Sequence, residues 1–377
     1  MNCSVKRRVV LEVDRKKIAS NYFCIKNIVG QAEVMCVLKA DGYGLGARNC
    51  AQVLFELGCR RFAVADSVEA KDLVDFFKPS DNVVVQIVSS VLDWEIPLMV
   101  EKGVVLPVFD LNTAKLISDV AIKLGRKAIV HFKVDTGMGR LGATLDEATT
   151  ILSEIIKLPS LYVEGAFSHL SSAGDADDET TMKQIESFKA FLEAAKSLDI
   201  KFEKLHIAAT DAILNFPEAI KAPFNLVRTG IGLHGGFSDA ATKVGLKSVF
   251  EFKSYVMQVR HLPAGAVIGY SHTAKLSRDS IVAIIAVGYA DGVPLSLSNK
   301  GFVLVGGKKC PILGRVSMDY TAIDVTDVPL VTLGDEVVLL GSSSSCSITP
   351  DDWAEIKGVH PYEIMTSIGK RTQRCMR

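Results

Sequence analysis

Between Glu33 and about Gly235, eight short runs rich in β-branched residues alternate with longer stretches of helical periodicity. The runs are VMCVLK (34–39), RFAVA (61–65), NVVVQIV (82–88), GVVLPVF (103–109), AIVHFKV (128–134), YVEGAF (162–167), KLHIA (204–208) and NLVRTGIG (225–232). A strand-then-helix repeat predicts parallel strands joined by helical crossovers, and eight of them are the number that closes a (β/α)8 barrel. After the sixth run, Met182, Ile185, Phe188, Leu192 and Ala195 recur at three- and four-residue steps. That spacing predicts a helix with one apolar face against the barrel, and the stripe is core.

Beyond Gly245 the pattern changes to short apolar runs punctuated by Gly and Pro: SYVMQVRHL, SIVAIIAV, GFVLVGG, TAIDV and DEVVLLG. The fold class is therefore α/β, a (β/α)8 TIM-type barrel followed by a β-rich C-terminal domain. A chain of 377 residues exceeds what one core usually supports. The expected division is a barrel over 11–237 and a β-rich domain over 245–377 that also takes an N-terminal strand from 1–10. GFSDAATKVG (236–245) is the expected junction, and SSSSCS (342–347) is expected to be a surface loop.

Charge is balanced, with 43 Lys plus Arg against 43 Asp plus Glu, so no global field recruits nucleic acid or an anionic membrane. The longest apolar run, Ile281 to Val287, is far short of the roughly 20 residues that a helical membrane span needs. Glu12 and Asp14 interrupt any apolar leader, and eight scattered cysteines without a CxxC pair suit reduced thiols. The expected location is cytoplasmic and the expected partner a small molecule, with no nucleic acid and no membrane.

In a barrel of this kind chemistry sits at the carboxyl ends of the strands. The first run ends in Lys39, within KADGYGLGA, where an ammonium leaves an apolar strand into a glycine-rich turn. A desolvated lysine there can lose its proton and attack a carbonyl, although a lone lysine at a strand end is more often a solvated charge. The fifth run ends in KVDTGMGRLG, which carries Lys133, Asp135 and Arg140; the bland alternative is a charged loop. Ser168 and His169 follow the sixth, His206 and Thr210 the seventh, and Arg228 precedes Thr229-Gly230-Ile231-Gly232 at the eighth. Glycines directly after a strand let backbone N–H groups approach an anion, so a phosphate can sit at Gly230 and Ile231. Any one of these histidines alone is more often a satisfied core residue; their recurrence at successive strand ends is the signal. No HxxxH pair, GxSxG or P-loop occurs, and no metal site is expected.

The segments VLKADGYGLGA, KVDTGMGRLG, EGAFSHL, LVRTGIGL, VIGYS, VGYADGVP, GRVSMD and HPYEI, taken in order through nearly the whole chain, resemble those of alanine racemases, fold-type III pyridoxal phosphate enzymes. The resemblance implies that Lys39 holds pyridoxal 5'-phosphate as a Schiff base and serves one face of the substrate, with Tyr270 of a partner subunit serving the other. Inversion at carbon needs a proton removed from one side and returned from the other, which is why two bases are needed. It further implies that Arg228 faces the pyridine nitrogen, that His169 stacks on the ring, and that His206 joins a hydrogen-bond chain with Arg228. Tyr43, Thr210, Gly230, Ile231 and Tyr362 would hold the phosphate. Arg140 would bond the phenolic oxygen and steer the substrate carboxylate, with the Met318 backbone as a second donor beside Asp319. Lys133 matches a lysine often carbamylated in the family. The implied assembly is a homodimer with shared active sites, and the implied role is interconversion of L- and D-alanine, supplying D-alanine for peptidoglycan.

The chain departs from the family pattern at Leu45, Ala209 and His234 around the phosphate cradle, and at Leu295 and Ser317 along the substrate corridor. Those positions bear on cofactor affinity and substrate range. A racemase of broad or serine specificity, and a decarboxylase of basic amino acids, share the architecture; decarboxylases generally set an acid at the pyridine nitrogen, where this chain has Arg228. A non-catalytic pyridoxal phosphate carrier resembles the barrel alone and lacks the domain that carries Tyr270.

Overall fold

The computed structural model describes residues 7–236, 238–344 and 346–377 and divides into two compact units. One comprises Lys16–Gly42 and Ala47–Lys247; the other comprises the described residues up to Arg15, Tyr43–Gly46 and Ser248–Arg377.

In the first unit the eight apolar runs are eight strands, which we label β1 (Glu33–Val37), β2 (Arg61–Val64), β3 (Val84–Ile87), β4 (Leu106–Val108), β5 (Ala128–Asp135), β6 (Leu161–Phe167), β7 (Lys204–His206) and β8 (Leu226–Thr229). Every neighbouring pair is parallel, with Val37 opposite Ala63, Val108 opposite Phe132 and Arg228 opposite Met35. The ring closes through a bridge between Gln86 and Val105 on one side, and through Asn225 N–H to the Leu205 carbonyl and Arg228 N–H to the Ala208 carbonyl on the other. The expected barrel is present, with most strands shorter than their apolar runs because the ladder stops where the chain turns away.

Helices follow the strands where the pattern requires them, and several are started by a side chain that takes up a free N–H. Asp66 caps Ser67–Phe76 and Asp110 caps Leu111–Lys123 in this way. The helix after β6 runs Glu179–Ser197 and buries Ile185, Phe188, Leu192 and Ala195, but Met182 is only half-buried; Thr181, Gln184 and Phe191 complete the covered face. The expected junction at 236–245 contains a short helix, Asp239–Lys243, capped by Ser238; Phe237 lies outside the described residues.

In the second unit, strands Glu336–Ser343, Phe302–Val305, Lys308–Leu313, Thr321–Asp324, Ser280–Ile285 and Phe250–Leu262 pair in that order, and the last pairs back with the first. The long strand Phe250–Leu262 spans both closures because it has register shifts at Phe252/Lys253 and Val256/Gln258. The N-terminal strand is Val10–Val13, antiparallel to Phe250–Leu262 and parallel to Gln373–Met376, so it begins where the expected 1–10 strand ends; residues 1–6 of that expectation lie outside the described residues. The serine run is not a free loop. Ser342 and Ser343 continue one strand and pair with Ser347 and Cys346 of the next, because a backbone ladder at an exposed hairpin needs no apolar side chain.

Candidate active site

Lys39 stands just beyond β1, and the four residues after it, Ala40, Asp41, Gly42 and Tyr43, have φ of 53°, 53°, 64° and 56°. A left-handed turn costs about 1–2 kcal/mol at each non-glycine residue, so something must hold it. Ala40 N–H donates to the Glu69 carboxylate at 2.6 Å, Gly42 N–H to the Leu38 carbonyl at 2.8 Å, and Ala47 N–H to the Asp41 carboxylate at 2.8 Å. Glu69 is itself fixed at the start of its helix and also accepts from Ala65 N–H at 2.9 Å. The strain is thus anchored in two neighbouring helices, and it fixes the backbone from which the Lys39 side chain departs. That side chain is exposed, yet partial desolvation lowers its amine, aided by the Arg140 and Arg228 cations and opposed by Glu69.

Lys133 is buried on β5, its amine donating to the Val88 carbonyl at 3.1 Å and lying 5.3 Å from the centre of the Phe167 ring. Burial, then the Arg228 and Arg140 charges, push this amine down to about 8. Arg140 ends a loop gathered by Asp135, whose carboxylate accepts the backbone N–H groups of Gly137, Met138, Gly139 and Arg140 at 2.8–3.2 Å. Lys133, Asp135, Arg140 and His169 line one small pocket. Burial and the same group of cations push the His169 ring down to about 3, so it is a neutral, flat face at neutral pH.

Arg228 is almost wholly buried on β8 and spends its fork on five acceptors. One terminal nitrogen donates to His206 Nδ1 at 2.6 Å and to the His206 carbonyl at 3.3 Å; the other donates to the carbonyls of Ser168 and Ile207, both at 2.8 Å, and reaches His169 Nδ1 at 3.3 Å. Burial lowers the guanidinium to about 9, which leaves it a cation at neutral pH. Beside it, Thr210 Oγ1 accepts Gly232 N–H at 3.2 Å and lies 3.4 Å from Thr229 Oγ1, at the start of the tight turn Ile231–His234 that follows Gly230. A Cβ at Gly232 would sit 2.8–3.0 Å from Ile25, Thr210 and Thr229, so only glycine allows this close approach.

Four basic side chains, Lys39, Lys133, Arg140 and Arg228, thus gather at the strand ends. Asp135 and Glu69 are taken up by backbone N–H groups, as above. Such a set fits an anion that also carries a carbonyl, and pyridoxal phosphate is of that kind: Lys39 would meet its carbonyl, Thr210, Gly230 and Ile231 its phosphate, and Arg140 and Arg228 its ring oxygen and nitrogen.

The remaining expected residues belong to the β-rich unit. Tyr43 is buried and meets the half-buried Tyr362 edge-on, with ring centroids 6.1 Å apart. Tyr270 is 71% exposed, in a tight turn after Gly269, whose φ is +72°. Asp319 pairs with Arg371 at 2.8 Å; Arg371 also binds Asp291 through two contacts and donates to the Met318 carbonyl at 3.2 Å. Among the departures, Leu45 is fully buried, Ala209 opens the Thr210 helix with no capping side chain, and Leu295 is exposed. The Ser317 hydroxyl donates to the Tyr320 carbonyl and accepts its N–H, so it ties its own loop.

Sequence reasoning missed His131 and gave Glu164 no role. His131 Nδ1 lies 2.8 Å from His206 Nε2, and His131 Nε2 lies 2.7 Å from Glu164. The available signal was register: His131 lies two residues before Lys133 on β5 and so faces the same way.

Two family models match the chain, alanine racemase N-terminal domain over residues 13–237 and alanine racemase C-terminal domain over 249–376. An alanine racemase of Halothermothrix orenii is 36% identical over 377 residues, covering 99% of this chain and 98% of that one. Alanine racemase 2 of Caldanaerobacter subterraneus is 36% identical over 97% of this chain and 93% of its own. The solved alanine racemase of Streptomyces coelicolor superposes with a TM-score of 0.91 at 28% identity, covering 98% of each chain. That of Bartonella henselae, solved with covalently bound pyridoxal phosphate, gives 0.87 at 30% identity over 99% of this chain and 100% of its own. With both domain models matched in order and relatives aligned nearly end to end, the chain is an enzyme that belongs to the alanine racemase family.

Proposed function

We propose that the chain interconverts L-alanine and D-alanine with pyridoxal phosphate held covalently on Lys39, and that it supplies D-alanine for peptidoglycan. The observation that carries this is the lowered Lys39 amine set among cations whose neighbouring carboxylates are already engaged. Covalently bound cofactor in the Bartonella henselae relative supports the same chemistry.

When bound, the cofactor supplies an electron-accepting ring conjugated to the substrate's α-carbon, which makes the α-proton removable. The chain's own residues do the rest. Lys39 removes or returns the proton on one face, and Tyr270 of the partner subunit serves the other, in a homodimer with shared sites. Arg228, which keeps its own proton, would face the ring nitrogen and leave it unprotonated, so that the ring would withdraw electrons only moderately. Arg140, with the Met318 backbone, orients the substrate carboxylate, and Asp319 plays a supporting part beside it. Thr210, Gly230, Ile231, Tyr43 and Tyr362 hold the phosphate, and Lys133, carrying a carbamate, orients Arg140. Exposure of the Tyr270 phenol supports its use by a second copy. Operation in the cytoplasm accords with the free thiols of the described cysteines.

The test is turnover of L-alanine, D-alanine and L-serine with and without added pyridoxal phosphate. Cofactor-dependent racemisation of alanine in both directions is the expected result. Faster turnover of serine would reassign the substrate, and cofactor binding without racemisation would reduce the protein to a carrier.

A further inference from the structure

The barrel interior below Arg228 holds a line of buried polar groups that runs from β8 through β7 and β5 to β6. Arg228 donates to His206 Nδ1 at 2.6 Å, His206 Nε2 meets His131 Nδ1 at 2.8 Å, and His131 Nε2 meets a Glu164 carboxylate oxygen at 2.7 Å. Both imidazoles are fully buried. Glu164 is also gripped by the Arg61 fork at 3.0 and 3.2 Å, while Glu33 pairs with Lys204 at 2.6 Å.

The two ends of this line determine its polarity. An ionised carboxylate can only accept and a guanidinium can only donate. Burial pushes Glu164 up, but the hydrogen bonds from His131 and Arg61 outweigh it and hold the carboxyl down at about 2, so it is ionised. Two neutral imidazoles satisfy every contact in one way only: His131 carries its proton on Nε2 toward Glu164 and accepts at Nδ1, and His206 carries its proton on Nε2 and accepts at Nδ1 from Arg228. A second proton on either ring sets two donors face to face at one of the contacts. Desolvation keeps both rings neutral, as this pattern requires. Gly165 leaves the space that the His131 ring fills, since a Cβ there would lie 2.9 Å from His131 Cε1 and 3.0 Å from its Nδ1.

We infer that Glu164 and His131 are positioning residues for Arg228, holding His206 in its Nε2–H tautomer so that the guanidinium stays a fixed donor with no carboxylate of its own. The anionic charge of Glu164 is balanced by Arg61, and the cation at Arg228 is left for whatever binds at the strand ends. The inference rests on the proposed function only in taking that group to be the cofactor ring.

Histidine 15N spectra of the protein prepared without cofactor test it. The expected result, unchanged from pH 6 to 9, is protonated Nε2 and unprotonated Nδ1 for both His131 and His206. A doubly protonated ring, or an Nδ1–H tautomer in either, overturns the inference, whether or not any variant folds. His131→Asn keeps an acceptor where Nδ1 lies and should preserve the His206 pattern. His131→Leu should abolish it and lower racemisation by roughly tenfold or more, the order known for the outer partners of metal-bound histidines. A His206 spectrum unchanged in His131→Leu also overturns it. Because the spectra need no cofactor, the relay can fail while cofactor chemistry survives, and the reverse.

Discussion

Replacing Arg228 by lysine keeps the formal charge and removes the fork. In the native arrangement two terminal nitrogens reach in two directions, one to His206 Nδ1 at 2.6 Å and the other to the Ser168 and Ile207 carbonyls at 2.8 Å. A single ammonium cannot span both, so one or two charge-assisted bonds are lost, each worth about 1.5–3 kcal/mol, and buried acceptors are left unpaired. A lysine here also has no engaged acid to keep it charged, and burial among Lys39 and Lys133 would strip its proton, as burial already lowers the amine of Lys133. Taking about 3 kcal/mol, and about 2–4 °C per kcal/mol for a unit of this size, the midpoint of thermal unfolding should fall by roughly 6–12 °C. Circular dichroism melts without cofactor measure this, and pyridoxal phosphate titrations should show weakened binding in parallel. A melt within about 2 °C of the wild type, with unchanged cofactor affinity, would refute the reasoning.

In protein kept free of bicarbonate, so that Lys133 bears no carbamate, Lys133→Met removes an amine whose native value, about 8, lies below its ordinary 10.5. Between those values the unfolded chain binds a proton that the native one does not, so this group makes stability rise with pH, by at most about 1.4 kcal/mol per unit, and leaves its full cost below pH 8. Urea melts from pH 7 to 10.5 should show a shallower rise in the variant; parallel curves would contradict the assignment. Tyr270→Phe should slow deuterium exchange from one alanine enantiomer far more than from the other, because the lysine face survives. Equal slowing of both would argue against two bases.

The barrel was legible because each strand of a closed parallel sheet must be apolar on both faces, and eight such runs stand out from the helices between them. Strand ends were not, since VVL at 104–106 reads as strand throughout while the strand itself begins only at Leu106. Lys39 was legible as a lysine at a strand mouth, but the left-handed turn after it was not: Ala40 carries no local signal for positive φ, and the conformation depends on Glu69, far along the chain. His131 looked like one polar residue in an apolar strand. Its meaning lies in partners on β6 and β7, 33 and 75 residues away, which only closure of the barrel brings together. SSSSCS was misread because serine composition signals exposure, and exposure does not exclude strand pairing.

Borohydride treatment of the cofactor-loaded enzyme, followed by peptide mapping, bears most directly on whether the amine at the mouth of β1 anchors the cofactor. The expected result is a pyridoxyl group on the peptide containing Lys39 and no label in Lys39→Ala. Label on Lys133 or any other lysine, or none at all, would contradict that anchor.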